Sequence, residues 1–449
     1  KSTLKMAAVK IQSMTIWELP YPRNNILFFF QEVRSTMCKK IFALCLAAIM
    51  VCSLFALAGC KGGDTTNTTD ATKSTDGGDA TVDYSKIKIG FIFLHDDKST
   101  YDLNFMNAAK AAQEKLGLSD DQVIFKYPVD ESSACYDAAA DLADQGCNIV
   151  FADSFGHEPF ILQAAKEFPD VQFCHATGTK AHTEKVANYH NAFASIYEGR
   201  YLAGITAGMK LNEMIESGKI TAEQAVMGYV GAFPYAEVIS GYTSFFLGAR
   251  SVCPSVTMMV DFTGYWYSVD AERDVANSLM DKGAVLISQH ADSMGAPSAC
   301  EAAGVPCVGY NISMIPTAPT QALTSAACNW GAYVTYAIQC VIDGTEIPKD
   351  WCHGYSDGAV HITELNEAAV APGTAEKVAE VEAALKDGTL HVFDCSTFTV
   401  GGEELTTYTT AYGLEGTEMV SDGYFHESEV RSAPYFDIII DGINAVVEE

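Results

Sequence analysis

VMGYVGAFPYAEVISGYTSFFLGAR, residues 226–250, opens the stretch that decides the fold, and its pattern recurs as far as Asn311. An apolar, Gly-punctuated run (226–232) is broken by Phe233-Pro234-Tyr235. Residues 237–250 then place Val238, Tyr242, Phe245, Phe246 and Ala249 at helical spacing. The run 256–261, the loop Tyr265-Trp266-Tyr267 and the helical stretch 271–281 repeat it. A third round uses 284–288, His290-Ala291-Asp292-Ser293 and 296–303, and 305–310 follows as a fourth strand. Short apolar runs alternating with amphipathic helices predict a parallel α/β sheet. Ligands of such sheets bind beyond the carboxyl ends of the strands. Those ends carry Phe233, Trp266, His290, Asp292 and Asn311. Several aromatics with a few fixed polar groups suit a flat, uncharged, heteroaromatic ligand.

Upstream, the same alternation runs once more. Strands are expected at 86–94, 122–127, 148–152, 171–175 and 188–194, with helices at 102–116, 132–145 and 158–168 between them. A long helix at 197–214 carries Ala203, Gly204, Ala207 and Gly208, small enough for close packing. After Asn311 a Pro-interrupted crossing (313–320) leads to an expected helix at 321–342, a strand within 351–362 and a surface helix at 364–386; the acidic tail from 390 is mixed. Two half-sheets with returning segments predict a hinged, two-lobed clamp with a cleft between. Lobe 1 is expected at 86–195, with about 313–350 returning to it. Lobe 2 is expected at 196–312, with about 351–449 returning.

The start of the chain reads differently. Residues 1–36 lack any coherent pattern and read as an upstream extension. From Met37, Lys39-Lys40 precede an apolar run ending in Leu57-Ala58-Gly59-Cys60. That is the layout of a secretory signal (37–59) closing on a lipobox, in which the Cys60 thiol accepts a lipid. A membrane-spanning helix is the competing interpretation of the apolar run. Residues 60–85 are rich in Gly, Thr, Asp and Ser and read as a flexible tether of ~25 Å mean span.

Residues 1–59 hold 7 of the 28 basic and 2 of the 57 acidic residues, so the remainder carries 21 against 55, a formal charge of −34. Nothing there could neutralise a phosphate backbone, which argues against nucleic acid as a partner. Ten cysteines follow Cys60 with no C-x-x-C spacing, so no zinc ribbon or thioredoxin-type site is signalled. Most read as small core residues. Cys300 and Cys307 are the pair whose spacing most invites a disulfide.

Several segments together resemble the basic membrane protein family of bacterial solute-binding lipoproteins. They include Ser154-Phe155-Gly156, His175-Ala176-Thr177-Gly178, Tyr197-Glu198-Gly199-Arg200-Tyr201-Leu202-Ala203-Gly204, Gly228-Tyr229-Val230-Gly231-Ala232-Phe233-Pro234, Gln289-His290-Ala291-Asp292-Ser293, Gly309-Tyr310-Asn311 and Asn329-Trp330-Gly331. The resemblance spans about residues 86–440. It implies the type I periplasmic-binding fold: two Rossmann-like lobes joined by a multi-strand hinge. It also implies an extracytoplasmic receptor, lipid-anchored on the outer face of the cytoplasmic membrane or in the periplasm, that hands a purine nucleoside or base to an ABC permease. No cofactor and no chemistry on the ligand are implied. Carried over by position, the family's stacking aromatics fall on Tyr101 and Trp266. Around residues 97–102 the chain departs from the Gly-rich, Trp- or Phe-bearing run of its relatives.

The remaining site candidates are Ser154, Phe155, Phe233, Glu237, Asp292 and Asn311. Asp292 and Asn311 can read donors and acceptors on a purine edge or a ribose, and buried polar groups of this kind reject analogues that leave them unpaired. Helix capping competes for Asp292 and Glu237. Ala152-Asp153-Ser154-Phe155-Gly156 nearly fits a nucleophile elbow, but no HGGG-type loop accompanies it. No phosphate-binding G-x-x-x-x-G-K-[ST] exists. A binding protein, not an enzyme, is therefore expected. A ligand sensor of the same fold, signalling to a membrane partner, is the alternative.

Overall fold

The computed structural model describes residues 87–445. The expectations for 1–36, for the signal at 37–59, for Cys60 and for the tether lie outside the described residues.

Two sheets organise the chain. The first contains β1 (Ile89–Ile92), β2 (Val123–Lys126), β3 (Ile149–Ala152), β4 (Gln172–Ala176), β5 (Tyr189–Ala192) and β11 (Asp350–Trp351), in the order β11-β5-β4-β3-β1-β2, all parallel. The second contains β6 (Val226–Gly231), β7 (Thr257–Phe262), β8 (Leu286–His290), β9 (Cys307–Tyr310), β10 (Ala322–Cys328), β12 (Val360–Ile362) and β15 (Ile443–Ala445). Its order is β12-β10-β9-β8-β6-β7-β15, and only β12 is antiparallel. Central strands such as β1 and β3 are buried along their whole length, as expected where helices cover both faces.

In the first lobe α1 (Thr100–Leu116), α2 (Ser133–Asp144) and α3 (Glu158–Glu167) follow their strands. Ser99 caps α1 by accepting from the Asp102 N–H, and Gly117 closes it in the left-handed region. In the second lobe α4 (Ile196–Glu216), α5 (Ala236–Val252), α6 (Val269–Asp281) and α7 (Gly295–Ala303) do the same. The expected close packing of 197–214 is present. A Cβ on Gly204 would lie 2.1 Å from the Phe245 carbonyl oxygen, and one on Gly248 2.1 Å from that of Tyr201. Backbone touches backbone where α4 meets α5, and only glycine fits.

Two expectations fail after Asn311. Residues 322–328 were expected to be helical but form β10, buried throughout between β9 and β12. The run Ala-Leu-Thr-Ser-Ala-Ala-Cys is short, small and apolar, and periodicity alone does not separate a buried strand from a helix there. The helix α8 starts at Trp330 and ends at Asp343. Thus β10 stays with the second sheet, while α8 and β11 join the first: Phe105 packs on Trp330, and Phe151 meets Tyr333 edge-on. The expected helix at 364–386 begins only at α9 (Thr374–Lys386). Before it, the Asn366 amide donates to the Pro319 and Ala322 carbonyls and pins an irregular segment.

The chain passes between the sheets three times: after β5, between β10 and α8, and between β11 and β12. The tail packs over this junction. Phe393 meets Tyr197 and stacks on Phe436, while Ser432 bonds both Asp350 and Asn191 in the first lobe. A small hairpin, β13 (Val420–Ser421) and β14 (Tyr424–Phe425), lies within it.

Candidate functional site

The carboxyl ends of both sheets face one cleft. From the first lobe come Leu94, His95, Tyr101, Asp102, Asp153, Ser154, Phe155 and Thr177; from the second, Glu237, Trp266, His290, Asp292 and Tyr310. The space between them amounts to about 410 Å³, open solvent at its mouth included. The lobes also touch directly. The Thr100 N–H donates to the Asp292 carbonyl at 2.8 Å, and the His95 ring lies 5.3 Å from that of Tyr267.

Six of the eight expected ligand contacts line this cleft. Tyr101 presents its ring edge-on to Trp330, and its hydroxyl donates to the Asp153 carbonyl at 2.7 Å. The Ser154 hydroxyl donates to Glu131 Oε1 at 2.6 Å, which also takes the Gly156 N–H. Phe155 faces Tyr235 of the other lobe at 5.8 Å. Trp266 lies half-buried, and its carbonyl accepts the Asp292 N–H. Glu237 stands 3.3 Å from His290 Nε2. Burial pushes its carboxyl up to about 7, although the Arg200 charge pulls the other way. Burial likewise drives Asp292 well above the usual carboxylate range, helped by the charges of Glu272 and Asp102.

The other two stand behind the wall. Phe233 stacks on Tyr235 at 5.1 Å and meets Trp266 edge-on, so it supports the indole. Asn311, at φ 68°, is buried; its amide donates to Asp292 Oδ1 (2.9 Å) and to Thr100 Oγ1 (3.2 Å), bridging the lobes. Neither capping alternative holds. Tyr235 precedes α5 and Met294 precedes α7, and the Gly295 N–H is taken by Ser293 Oγ.

Sequence reasoning missed Asp102, Asp153, Tyr310 and His95. Asp102 accepts from the His95 N–H and the Ser99 hydroxyl; burial opposes its ionisation, but these bonds hold it below its ordinary value. Asp153 is fully buried, and burial followed by the Asp102 charge drives it well above. Its Oδ1 accepts the Leu94 N–H, and Oδ2 has no partner. Both aspartates follow strand ends or open a helix, the positions where a ligand contact is expected. Among the described residues no Lys or Arg lines the cleft. Arg200 lies behind it, buried under Tyr310 with its guanidinium 3.7 Å from that ring and donating to the Gln289 carbonyl. The arrangement can receive a flat molecule with hydrogen-bonding groups at its edge. All ten cysteines among the described residues are free thiols, Cys300 and Cys307 included.

Residues 92–388 match the profile of the Bmp family, described as ABC transporter substrate-binding proteins, PnrA-like. A purine-binding protein of Brucella abortus is 32% identical over 312 residues, covering 69% of this chain and 83% of that one. A protein of Haloferax volcanii with a provisional name as an ABC transporter glucose-binding protein is 30% identical over 271 residues, 60% of this chain and 65% of that one. Among solved structures, an ABC transporter solute-binding protein of Conexibacter woesei superposes with a TM-score of 0.56 at 20% identity, covering 68% of this chain and 98% of that one. That likeness bears on the fold, a two-lobed solute-binding architecture of mixed α/β type.

Proposed function

This chain belongs to the PnrA-like family of ABC transporter substrate-binding proteins, and from that premise we propose that its cleft takes a purine nucleoside or a purine base. The observation that carries the reading is the pairing of aromatic rings with an unpaired buried carboxyl oxygen. Tyr101, Phe155, Trp266 and Tyr310 offer faces and edges to a planar ring, while Asp153 Oδ2 sits buried without a donor. A purine ring nitrogen, an amino group or ribose hydroxyls would pair with this carboxyl, which burial drives toward its neutral form and which can then give or take a hydrogen bond; an unpaired buried polar group penalises any ligand that leaves it so. The name of the Brucella relative supports the same choice. Each base–aromatic stack is worth ~1–3 kcal/mol, so two faces account for a large part of a micromolar affinity.

The ligand bridges the lobes and stabilises the closed arrangement, because its contacts exist only when both walls are present. A permease then reads the closed state, and a lipid on Cys60 keeps the receptor at the outer membrane face. The carboxyl-rich lining and the Haloferax relative favour a second ligand class, a sugar, whose hydroxyls offer the same donors. Mass spectrometry of ligand released on denaturation, followed by calorimetric titration with adenosine, guanosine, inosine, adenine and glucose, tests the reading. Binding of a purine supports it. Binding of glucose alone, or of none of the five, overturns it.

A further inference from the structure

The tail beyond residue 388 lies outside the family match, and it holds a side-chain arrangement that ligand binding does not use. β13 and β14 form a two-residue hairpin in which Ser421 pairs with Tyr424. Its turn, Asp422-Gly423, has φ of 50° and 88°, the two positive values a tight hairpin turn of the primed kind requires. Alternation sends Phe425 into the core and leaves Ser421 and Tyr424 on the outer face, where His426 joins them diagonally. There Ser421 Oγ lies 2.6 Å from His426 Nε2, and His426 Nδ1 lies 2.7 Å from Glu429 Oε2. The imidazole is held against the Tyr424 ring at 4.0 Å, which itself stacks on His391 at 3.7 Å. The N–H groups of Asp422 and Gly423, next to the serine, donate to no backbone carbonyl.

We propose that Ser421 is an acylatable nucleophile, with His426 as its general base and Glu429 as the positioning carboxylate, and that this hairpin cleaves small activated acyl esters. Each imidazole nitrogen has the partner acyl transfer requires. A carboxylate at Nδ1 fixes the proton there and leaves Nε2 free to accept from the serine hydroxyl. Ser421 Oγ bonds to the ester carbonyl carbon while its proton passes to Nε2. The carbonyl electron pair moves to oxygen, for which the Asp422 N–H, directly after the nucleophile, is the proposed donor, the position such sites use. The bond to the leaving oxygen then breaks, and that oxygen takes the proton from Nε2. Water repeats the sequence on the acyl-serine, releasing the acid and restoring the hydroxyl. The near-elbow at Ser154 lacks this geometry: its hydroxyl is bound to Glu131, and His175 Nε2 reaches its carbonyl at 2.7 Å.

Ser421 and Glu429 are exposed, so the substrate meets the triad from bulk solvent, and the rate should rise in proportion to ester concentration. The test uses the whole protein with a fluorophosphonate probe, mapped by peptide mass spectrometry, and p-nitrophenyl acetate as substrate. The expected adduct is on Ser421 and is absent in Ser421→Ala. His426→Gln should slow labelling and hydrolysis at least ~100-fold and flatten their pH dependence. Glu429→Gln should slow both while the adduct stays on Ser421. All three variants should keep the wild-type melting temperature and the wild-type response to purines, since none touches the cleft. Absence of an adduct on Ser421, or labelling indifferent to His426→Gln, overturns the proposal and leaves the cleft reading untouched.

Discussion

On the first lobe's wall of the cleft, most polar side chains are bonded within their own lobe: Tyr101 to the Asp153 carbonyl, Ser154 to Glu131, Asp102 to His95 and Ser99. On the second wall, Trp266 offers an indole with no hydrogen-bond partner, and Asp292 and Glu237 each use a single oxygen. The same winding, repeated, has produced a wall fixed in advance and a wall with groups to give. Preorganisation lowers the cost of binding, whereas uncommitted groups supply the interactions. Substitutions should therefore act unequally on the two sides. Within the fixed wall Asp153 Oδ2 is the exception: it is buried and unbonded, on a carboxyl that burial drives toward its neutral form, and so has a hydrogen bond to give or take.

The largest effect is expected at Asp292. Asp292→Ala removes an acceptor from the ligand and leaves the buried Asn311 amide half-satisfied, at a cost of ~3 kcal/mol or roughly 100-fold in affinity for the tightest purine, read by calorimetry. Trp266→Ala comes next, at ~2 kcal/mol, with Trp266→Phe recovering most of it because a phenyl face still stacks. Tyr101→Phe keeps the ring and loses only a bond inside its own lobe, so the affinity should fall by less than ~5-fold. A Tyr101→Phe loss larger than that of Trp266→Ala would reverse the asymmetry and place the ligand's main contacts on the first wall.

Most of the fold was readable because most of the first ten strands are short, largely apolar runs set between amphipathic helices or turn signals. β10 was not, since Ala322–Cys328 runs up to α8 with only Asn329 between, and its strand character comes from the neighbours β9 and β12. The site was half legible. Trp266 and Asp292 stand in loops directly after strands, where a ligand contact is the natural expectation. Tyr310 is the last residue of a strand and reads as core, and Asp102 lies in the first turn of a helix, where an acid is ordinary. Phe233 and Asn311 looked like contacts for the same reason as Trp266. Only the packing of Tyr235 and the amide bridge from Asp292 to Thr100 show them one layer back.

The smallest effect concerns pH, and it separates the walls once more. Glu237, on the second wall, has its folded value raised to about 7 by burial, against an ordinary value near 4.5 in the unfolded chain. Between those values the folded state keeps a proton that the unfolded state has released. The unfolded state then binds fewer protons, so this group lowers stability as pH rises through that window and adds nothing further above it. His290, facing it at 3.3 Å, contributes the opposite slope: burial holds the imidazole neutral, and the unfolded state binds the extra proton below its ordinary value. Arg200 lies behind both and favours the ionised glutamate and the neutral histidine. The raw profile mixes these contributions, but the difference between wild type and Glu237→Gln isolates the first, because His290 and Arg200 remain in both. The variant should gain on wild type by on the order of 1 kcal/mol between pH 5 and pH 6, about 2 °C in melting temperature by differential scanning calorimetry. A difference that is flat across that range would mean the Glu237 carboxyl titrates as it does in water. The second wall would then be wetter than its packing against His290 implies.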